Sequence, residues 1–489
     1  MNASNKFMVL FVGIGLIVSS CSRNPVTVNK EVSFMSESQE ISMGKEYDPS
    51  VVAQYGLYEN PSLQAFITEK GKQMAAISHR PNLPYEFKIL DSPVVNAFAV
   101  PGGYVYFTRG IMGHFNNEAE FAGVLGHEIG HVTAKHAARQ QRDQLLGQIL
   151  LMGGIIFSEK FRQFADVAQQ GVGLLFLKNS RDHESESDKL GVEYSTKIGY
   201  DAHQMAGFFK TLKKLSPKDG AIPTFLSTHP DPEDRYNKTN QMATDVQKTL
   251  DPATLKVNRN NYLKMIDGII YGEDPKQGYV ENSVFYHPEL KFQFNVPASW
   301  QLLNTPSQIQ MAPSDGKAMM MMSLAAGNNL QEAKTQVINE NKLNVLESSN
   351  VNVNGLNAIA LLSEVANQEA QQQTGQVADP LKVLTYIIEY NNMYYKFHGL
   401  SAKADFNNYF SQFQTTMKSF KVLTDQSKIN KNPTTLKIIE ANQNTTLQQI
   451  FTNQNMPSAR HSELALLNGL ELNAMVEKGT LVKVFGGQY

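Results

Sequence analysis

The chain contains 489 residues, of which 42% are hydrophobic and 18% are charged, a balance typical of ordinary globular domains. Its 44 basic and 46 acidic residues leave a net charge of −2, so the composition argues against a nucleic-acid-binding protein. A chain of this length is expected to form roughly two to four domains.

The N-terminus is arranged like a secretory signal. Lys6 supplies a positive charge, an apolar run extends from Phe7 to Val18, and Val18-Ser19-Ser20-Cys21 closes the segment. The run is shorter than the ~20 residues of a membrane span. The closing residues resemble a bacterial lipobox, in which cleavage precedes an acylated cysteine; a plain secretory signal is the alternative. We therefore expect a signal peptide at 1–20, lipidation of Cys21 and a polar tether at 21–45. Cys21 is the only cysteine, which excludes a disulfide within the chain.

A β-rich segment begins after Asn96 and Ala97. It contains a turn at Gly102-Gly103, and these residues by themselves fit a hairpin of the core. A helix is then predicted over residues 117–142, which lack proline and carry apolar residues at helical spacing. Its small residues Gly123, Gly126 and Gly130 indicate that backbone or substrate approaches closely.

His127-Glu128-Ile129-Gly130-His131 is the most informative motif. His127 and His131 are four residues apart and lie on one helical face, so their rings can converge on one Zn²⁺ at about 2.0–2.1 Å. Glu128 can take a proton from a water that the metal activates. This pattern is typical of metalloproteases; the alternative is two ordinary surface histidines. His136 does not fit the longer metzincin pattern and is predicted to lie further along the same helix.

The third metal ligand is predicted in the segment 180–188. Glu184 and Asp188 share a helical face, so Glu184 would bind zinc and Asp188 would accept the second ring N–H of a zinc-bound histidine. Glu186 and His183 compete for the ligand role, and a solvated acidic helix start is the alternative. Between the two motifs, Leu145–Phe157 and Gly171–Leu177 are apolar and predicted to be buried, or else to line a groove or touch the membrane.

These segments resemble the zinc metallopeptidases that include HtpX, the CAAX prenyl proteases and BepA. The likeness rests on 96–110, 117–131, Glu184 with Asp188, and 227–235, and spans about residues 40–245. It implies a mainly helical zincin-type domain at 46–250 with a small β-sheet and one Zn²⁺ per chain.

The resemblance also implies roles for residues that carry weak signals of their own. Asn96, Ala97 and Phe98 would lie on an exposed edge strand and bind substrate backbone by strand addition, with a core hairpin as the alternative. His229 and Arg235 would lie near the metal, where either could stabilise an oxyanion and the histidine could close the fourth zinc position. The alternative for these two is a proline-rich surface turn.

Two further domains are predicted after a linker at 251–280. Residues 281–425 contain alternating strands, a turn at Asn391-Asn392 and an amphipathic helix after Phe406, which indicate an α+β domain that resembles the PsbP and Mog type. Gln368 to Asp379 is a glutamine-rich loop. Residues 434–489 resemble a small LysM-like domain, which would bind peptidoglycan glycan or serve only a structural role. No 34-residue repeat of the BepA type is visible.

The sequence thus predicts an α+β multidomain protein, lipid-anchored on the periplasmic side of a bacterial envelope, at the outer membrane. Its function would be zinc-dependent hydrolysis of unfolded or misfolded envelope polypeptides. Two alternatives remain: a chaperone or assembly factor whose zinc site is closed by His229, and a wall-binding adaptor.

Overall fold

The computed structural model describes residues 21–28, 30–32, 35–140, 180–215, 225, 229, 232–365 and 380–487. The chain divides into two compact units, of which the first runs to Gly272 and resumes over Thr434–Gly487, and the second is Glu273–Pro433. The predicted signal peptide and the segments Leu145–Phe157, Gly171–Leu177 and 368–379 lie outside the described residues. Among the helices that are described, none has both the length and the apolar character needed to cross a membrane.

The first unit is mainly helical. The helices described before Gly272 are α1 (Glu37–Tyr55), α2 (Pro61–Ala76), α3 (Arg109–His114), α4 (Glu118–Thr133), α5 (Arg181–Lys197), α6 (His203–Leu215), α7 (Pro232–Gln247) and α8 (Arg259–Met265). The two helices that carry the predicted metal ligands begin at side-chain caps, since Asn117 accepts from the Glu120 N–H and Ser180 accepts from the His183 N–H. The predicted tether is partly structured, because β1 (Cys21–Arg23) pairs with β2 (Lys30–Val32) and α1 starts at Glu37.

A three-stranded sheet flanks the metal-motif helix. Strand β3 (Glu86–Leu90) pairs in parallel with β5 (Tyr104–Thr108), and β4 (Ala97–Val100) pairs with β5 on its other side, so β4 lies at the edge. The turn between β4 and β5 uses Gly102 at φ +87° and Gly103 at φ +100°. A Cβ on Gly102 would lie 2.6 Å from the Glu40 carbonyl oxygen. Glycine is therefore required at this position both by its positive φ and by this close approach.

Helices α4 and α5 approach each other through glycine. A Cβ on Gly126 would lie 3.0 Å from the Gly191 Cα on α5. Gly123 allows α6 to approach in the same way, since a Cβ there would lie 2.4 Å from the Met205 Cβ. The predicted close approach is confirmed, and its partner is protein backbone and core. Every residue of α4 is buried, so the metal motif sits inside the first unit.

The predicted helix over 117–142 is wrong in its extent. Helix α4 ends at Thr133, and Lys135 adopts φ +58° before a new helical segment starts at His136. This left-handed residue redirects the chain, so His136 is not on the same helix as His131.

Residues 251–272 belong to the first unit. Tyr262, Leu263, Ile266 and Ile269 are buried in its hydrophobic core, which places the change of unit at Gly272. The C-terminal segment also packs here, with elements β17 (Thr435–Glu440), β18 (Thr445–Thr446), α12 (Leu447–Asn453), α13 (His461–Leu467), β19 (Met475–Val476) and β20 (Leu481–Gly486). Strand β17 pairs with β20, and β18 with β19, both antiparallel.

The second unit contains two sheets. Its elements are β6 (Tyr279–Glu281), β7 (Val284–His287), β8 (Phe292–Asn295), β9 (Trp300–Asn304), β10 (Gln308–Pro313), β11 (Ala318–Ala325), α9 (Leu330–Glu340), β12 (Asn344–Val353), β13 (Leu356–Val365), β14 (Leu381–Tyr390), β15 (Met393–Ala402), α10 (Phe406–Lys418), β16 (Lys421–Val422) and α11 (Gln426–Ile429). A seven-stranded antiparallel sheet has the order β12-β13-β14-β15-β11-β10-β9, and a four-stranded sheet has the order β16-β8-β7-β6. The predicted hairpin is confirmed, and Asn391 and Asn392 take φ +52° and +59° at its turn.

Candidate metal centre

Four predicted side chains converge in the first unit. His127 and His131 on α4, Glu184 on α5 and His229 place one possible ligand atom each within 4.8 Å of one another. The Nε2 atoms of His127 and His131 are 3.0 Å apart, and His229 Nδ1 lies 3.2 Å from His127 Nε2. Glu184 Oε1 is 2.9 Å from His229 Nδ1 and 3.4 Å from His131 Nε2.

The donor set fits zinc. Three imidazoles and one carboxylate are the nitrogen and oxygen ligands that Zn²⁺ takes in proteins, and a set of four matches its preferred coordination number. Burial alone would raise the pKa of Glu184, but His229 and Arg235 hold it well below its ordinary value, so the carboxylate is ionised and able to bind a cation.

Glu128 lies inside the same cluster. It is buried, and its Oε1 accepts no hydrogen bond within the part of the chain that the structure describes. The nearest ring nitrogen, His229 Nε2, is 3.8 Å away. A buried carboxylate oxygen left without a protein partner beside a metal set is available to a water or a substrate.

Asp188 and Arg235 lie behind the four candidate ligands. Asp188 Oδ1 lies 2.9 Å from His127 Nδ1, in position to accept its N–H. Arg235 donates from Nε and Nη2 to Asp188 at 2.8 and 2.6 Å, and its Nη1 lies 3.1 Å from Glu184 Oε2. Burial would raise the pKa of Asp188, but the guanidinium of Arg235 lowers it below its ordinary value. The arginine thus holds both carboxylates in their charged form.

His229 is fixed over the cluster by its neighbours. Its ring stacks on Phe225 at a centroid distance of 4.5 Å. Burial would lower the pKa of His229, but the carboxylates of Glu184 and Glu128 raise it above its ordinary value. A metal ion would compete with that proton, because histidine binds metals in its neutral form.

The competing ligand candidates do not join the cluster. Glu186 Oε2 lies 3.1 Å from His136 Nε2 and 2.7 Å from Arg139 Nη1. His183 stacks on His136 at 4.3 Å. The sequence did not predict that His136, Glu186 and His183 come together, because the turn at Lys135 that brings His136 to this place leaves no mark in the apolar spacing.

The predicted substrate strand lies along the sheet edge. Asn96 is buried, and its carbonyl oxygen accepts from both the backbone N–H and the hydroxyl of Thr108. Ala97 and Phe98 open the edge strand β4, opposite Phe107 and Tyr106. The Val95 carbonyl, just before this strand, accepts from the Phe225 N–H at 3.2 Å, so the segment that carries His229 reaches the same edge.

Comparison with known proteins gives one family match. Residues 61–243 match peptidase family M48. A protein named beta-barrel assembly-enhancing protease from Yersinia pestis is 31% identical over 224 residues, which cover 42% of this chain and 45% of that protein. The mitochondrial metalloendopeptidase OMA1 of Arabidopsis thaliana is 32% identical over 161 residues, covering 32% of each chain. The metalloprotease YcaL of Escherichia coli is 24% identical over 47% of this chain and 94% of its own length. The chain thus spans less than half the length of the beta-barrel assembly-enhancing protease.

Solved structures match with low similarity. A cyanobacterial PsbP from Synechocystis has 13% identity and a TM-score of 0.24, covering 30% of this chain and 96% of that one. The Ran-binding protein Mog1p of Saccharomyces cerevisiae has 13% identity and a TM-score of 0.23, covering 31% and 99%. Scores this low assign neither a fold nor a function.

Proposed function

We propose, on the premise that residues 61–243 form a zinc metallopeptidase domain of family M48, that this chain is an endopeptidase which cuts extended or misfolded polypeptides. The observation that carries the proposal is the buried set of His127, His131 and Glu184 beside Glu128, whose Oε1 has no hydrogen-bond partner among the described residues. Hydrolysis by a metal-activated water requires a base in this position.

Each residue of the cluster has a role in this proposal. His127, His131 and Glu184 would hold the zinc, which supplies a Lewis acid and lowers the pKa of a water when bound. Glu128 accepts the proton of the attacking water and passes it to the leaving amine. Asp188 accepts the Nδ1–H of His127 and so keeps the Nε2 lone pair directed at the cluster. Arg235 contacts the carboxylates of Asp188 and Glu184, so its role is to position these two side chains.

The substrate would bind as an added strand along β4, starting at Asn96, Ala97 and Phe98. The edge position of β4 among the described strands supports this, because an edge strand offers backbone donors and acceptors to an extended chain. Recognition of this kind reads backbone more than side chains. It therefore suits a protease with unfolded or misfolded clients.

The contacts of His229 favour a second candidate function. Its Nδ1 lies 3.2 Å from His127 Nε2 and 2.9 Å from Glu184 Oε1, where it can occupy the fourth position of a zinc ion. A site closed in this way would bind clients without cutting them, as a chaperone or assembly factor does. We regard the closed arrangement as a resting state of the protease.

The cellular localisation of the protein is proposed from its N-terminal sequence and from the names of its relatives. Lipidation of Cys21 would tether the first unit to a membrane on the periplasmic side of a bacterial envelope, and we propose the outer membrane. The name of the Yersinia pestis relative, beta-barrel assembly-enhancing protease, supports quality control of envelope proteins as the setting. Metabolic labelling with a palmitate analogue, lost in Cys21→Ala, tests the anchor.

A LysM-like role for residues 434–487 is also proposed. Two helices lie between the paired strands β17 and β20, which supports it. Peptidoglycan would then be a further partner. Co-sedimentation of the full-length mature chain with purified peptidoglycan tests this, and a chain that stays in the supernatant would leave the segment a structural role only.

The proteolytic function is tested by cleavage of unfolded casein with zinc quantified in the same samples. Glu128→Gln should keep zinc but lose cleavage, because the amide cannot accept the proton while the ligands are unchanged. Glu193→Gln, on the outward face of α5, is the control and should behave as the parent does. A cleavage rate in Glu128→Gln equal to that of the parent would sink the assignment.

A further inference from the structure

His136 lies directly behind the metal cluster although it is not one of the converging ligands. Its Nδ1 is 2.8 Å from the Nδ1 of His131, and it is 1% exposed. It reaches this place because the chain turns at Lys135, which adopts φ +58° just after α4 ends. A histidine that had continued along the helix would have pointed away from His131.

The direction of this hydrogen bond follows from the position of the metal cluster. His131 Nε2 faces the cluster, 3.0 Å from His127 Nε2 and 3.4 Å from Glu184 Oε1. A ligating Nε2 must present its lone pair, so the ring proton of His131 sits on Nδ1. His131 therefore donates to His136 Nδ1. The opposite direction would put a proton on Nε2 and prevent ligation.

The other edge of the His136 ring is anchored. With Nδ1 accepting, Nε2 carries the proton and donates to Glu186 Oε2 at 3.1 Å. Arg139 Nη1 donates to the same oxygen at 2.7 Å. Ser187 Oγ lies 3.2 Å from His136 Nδ1, and the ring of His183 stacks on His136 at 4.3 Å and 16°. Together these contacts hold the ring of His136 in one orientation.

We propose that His136 is a positioning residue for the zinc ligand His131, with Glu186 and Arg139 setting its tautomer. It gives His131 the acceptor that Asp188 gives His127, so each metal histidine of α4 has its own partner. An oriented outer partner raises the basicity of a ligand and fixes its ring. The inference rests on the zinc site of the proposed function and not on proteolysis.

Zinc affinity, measured by competition with a chromogenic chelator, tests the proposal. His136→Phe keeps an aromatic ring against His183 but removes the acceptor, and zinc should bind about 10–100-fold more weakly. His136→Gln retains a carbonyl oxygen that can accept from His131 and should recover most of the affinity. The visible spectrum of the Co²⁺-substituted protein should shift in His136→Phe and return towards that of the parent in His136→Gln.

Two controls separate positioning from folding. His461→Phe changes another buried histidine of the first unit, whose ring contacts the Met456 carbonyl, and should leave zinc affinity unchanged. If His136→Phe does not fold, Glu186→Leu removes the acceptor of the His136 Nε2–H at a partly exposed position and should weaken zinc binding several-fold. A folded His136→Phe, or failing that a folded Glu186→Leu, with zinc affinity within twofold of the parent would overturn the proposal. Altered affinity without any casein cleavage would support it while contradicting the proposed function.

Discussion

Asp188 shows how buried charge is used at this site. The carboxylate lies between the His127 ring and the Arg235 guanidinium, and it is almost fully buried. Taking an isolated carboxylate out of water is costly, and a cation with several hydrogen bonds offsets the cost. The arginine lowers the pKa of Asp188, so the carboxylate remains an acceptor for the His127 N–H at neutral pH.

Asp188→Asn should weaken zinc binding about 10–100-fold, because an amide is a poorer acceptor and can present its NH₂ group to His127. Chelator competition at neutral pH measures the change. Asp182→Asn, on the exposed first turn of the same helix, should have no effect. Equal zinc affinity in Asp188→Asn and the parent would show that His127 does not depend on this carboxylate.

Helical spacing explains which site residues could be predicted from the sequence. His127 with His131, and Glu184 with Asp188, are four residues apart, and the helical period alone places each pair on one face. The convergence of His229 and Arg235 on these helices was expected from family resemblance only, since it depends on long-range packing. His136 was misplaced because the left-handed turn at Lys135 leaves no mark in the apolar periodicity.

Among the elements, the C-terminal segment is held by the buried side chain of Lys483 on β20, where burial lowers the pKa of the amino group to about 7. Lys483 Nζ donates to the carbonyls of Gly113, Phe115 and Leu467 at 2.8–2.9 Å. Two of these carbonyls close the end of α3, shortly before the metal-motif helix begins. The segment is therefore part of the support of the peptidase domain.

Lys483→Met should destabilise the first unit by about 3 kcal/mol or more, because three buried carbonyls lose their donor. Urea denaturation followed by the far-ultraviolet signal measures this free energy of unfolding. Lys478→Met, on the exposed loop before β20, is the control and should change it by less than about 0.5 kcal/mol. If Lys483→Met is as stable as the control, the C-terminal segment does not support the first unit through Lys483.

Element type was easier to predict than element position. The alternation in residues 291–296 and the Asn391-Asn392 turn identified a strand and a hairpin, since both signals are local. The return of residues 434–487 to the first unit was not predicted, because Lys483 contacts residues some 370 positions earlier and no local pattern records it.

At the scale of the whole molecule, the second unit interrupts the first. The chain leaves at Gly272 and returns at Thr434, and the two ends are neighbours: the Tyr271 N–H donates to the Thr434 carbonyl at 2.8 Å, and Ile270 forms an antiparallel bridge with Thr435. Because the two ends are adjacent, a short linker can join them in place of the second unit.

Replacing residues 273–433 with a short glycine linker should therefore leave a folded first unit that binds one zinc. Circular dichroism and zinc quantification check the outcome. A chain cut at 433, which lacks β17 to β20, is the comparison and should be less stable and lose zinc more readily. An unfolded linker variant would contradict the division into two units.

The most direct test of the account is the casein cleavage rate of His229→Ala at stoichiometric zinc, beside the parent and the double variant Glu128→Gln with His229→Ala. If His229 closes a competent site, the rate should rise in His229→Ala and vanish in the double variant. Stoichiometric zinc in His229→Ala with no cleavage of casein would contradict the protease account and favour a client-binding protein.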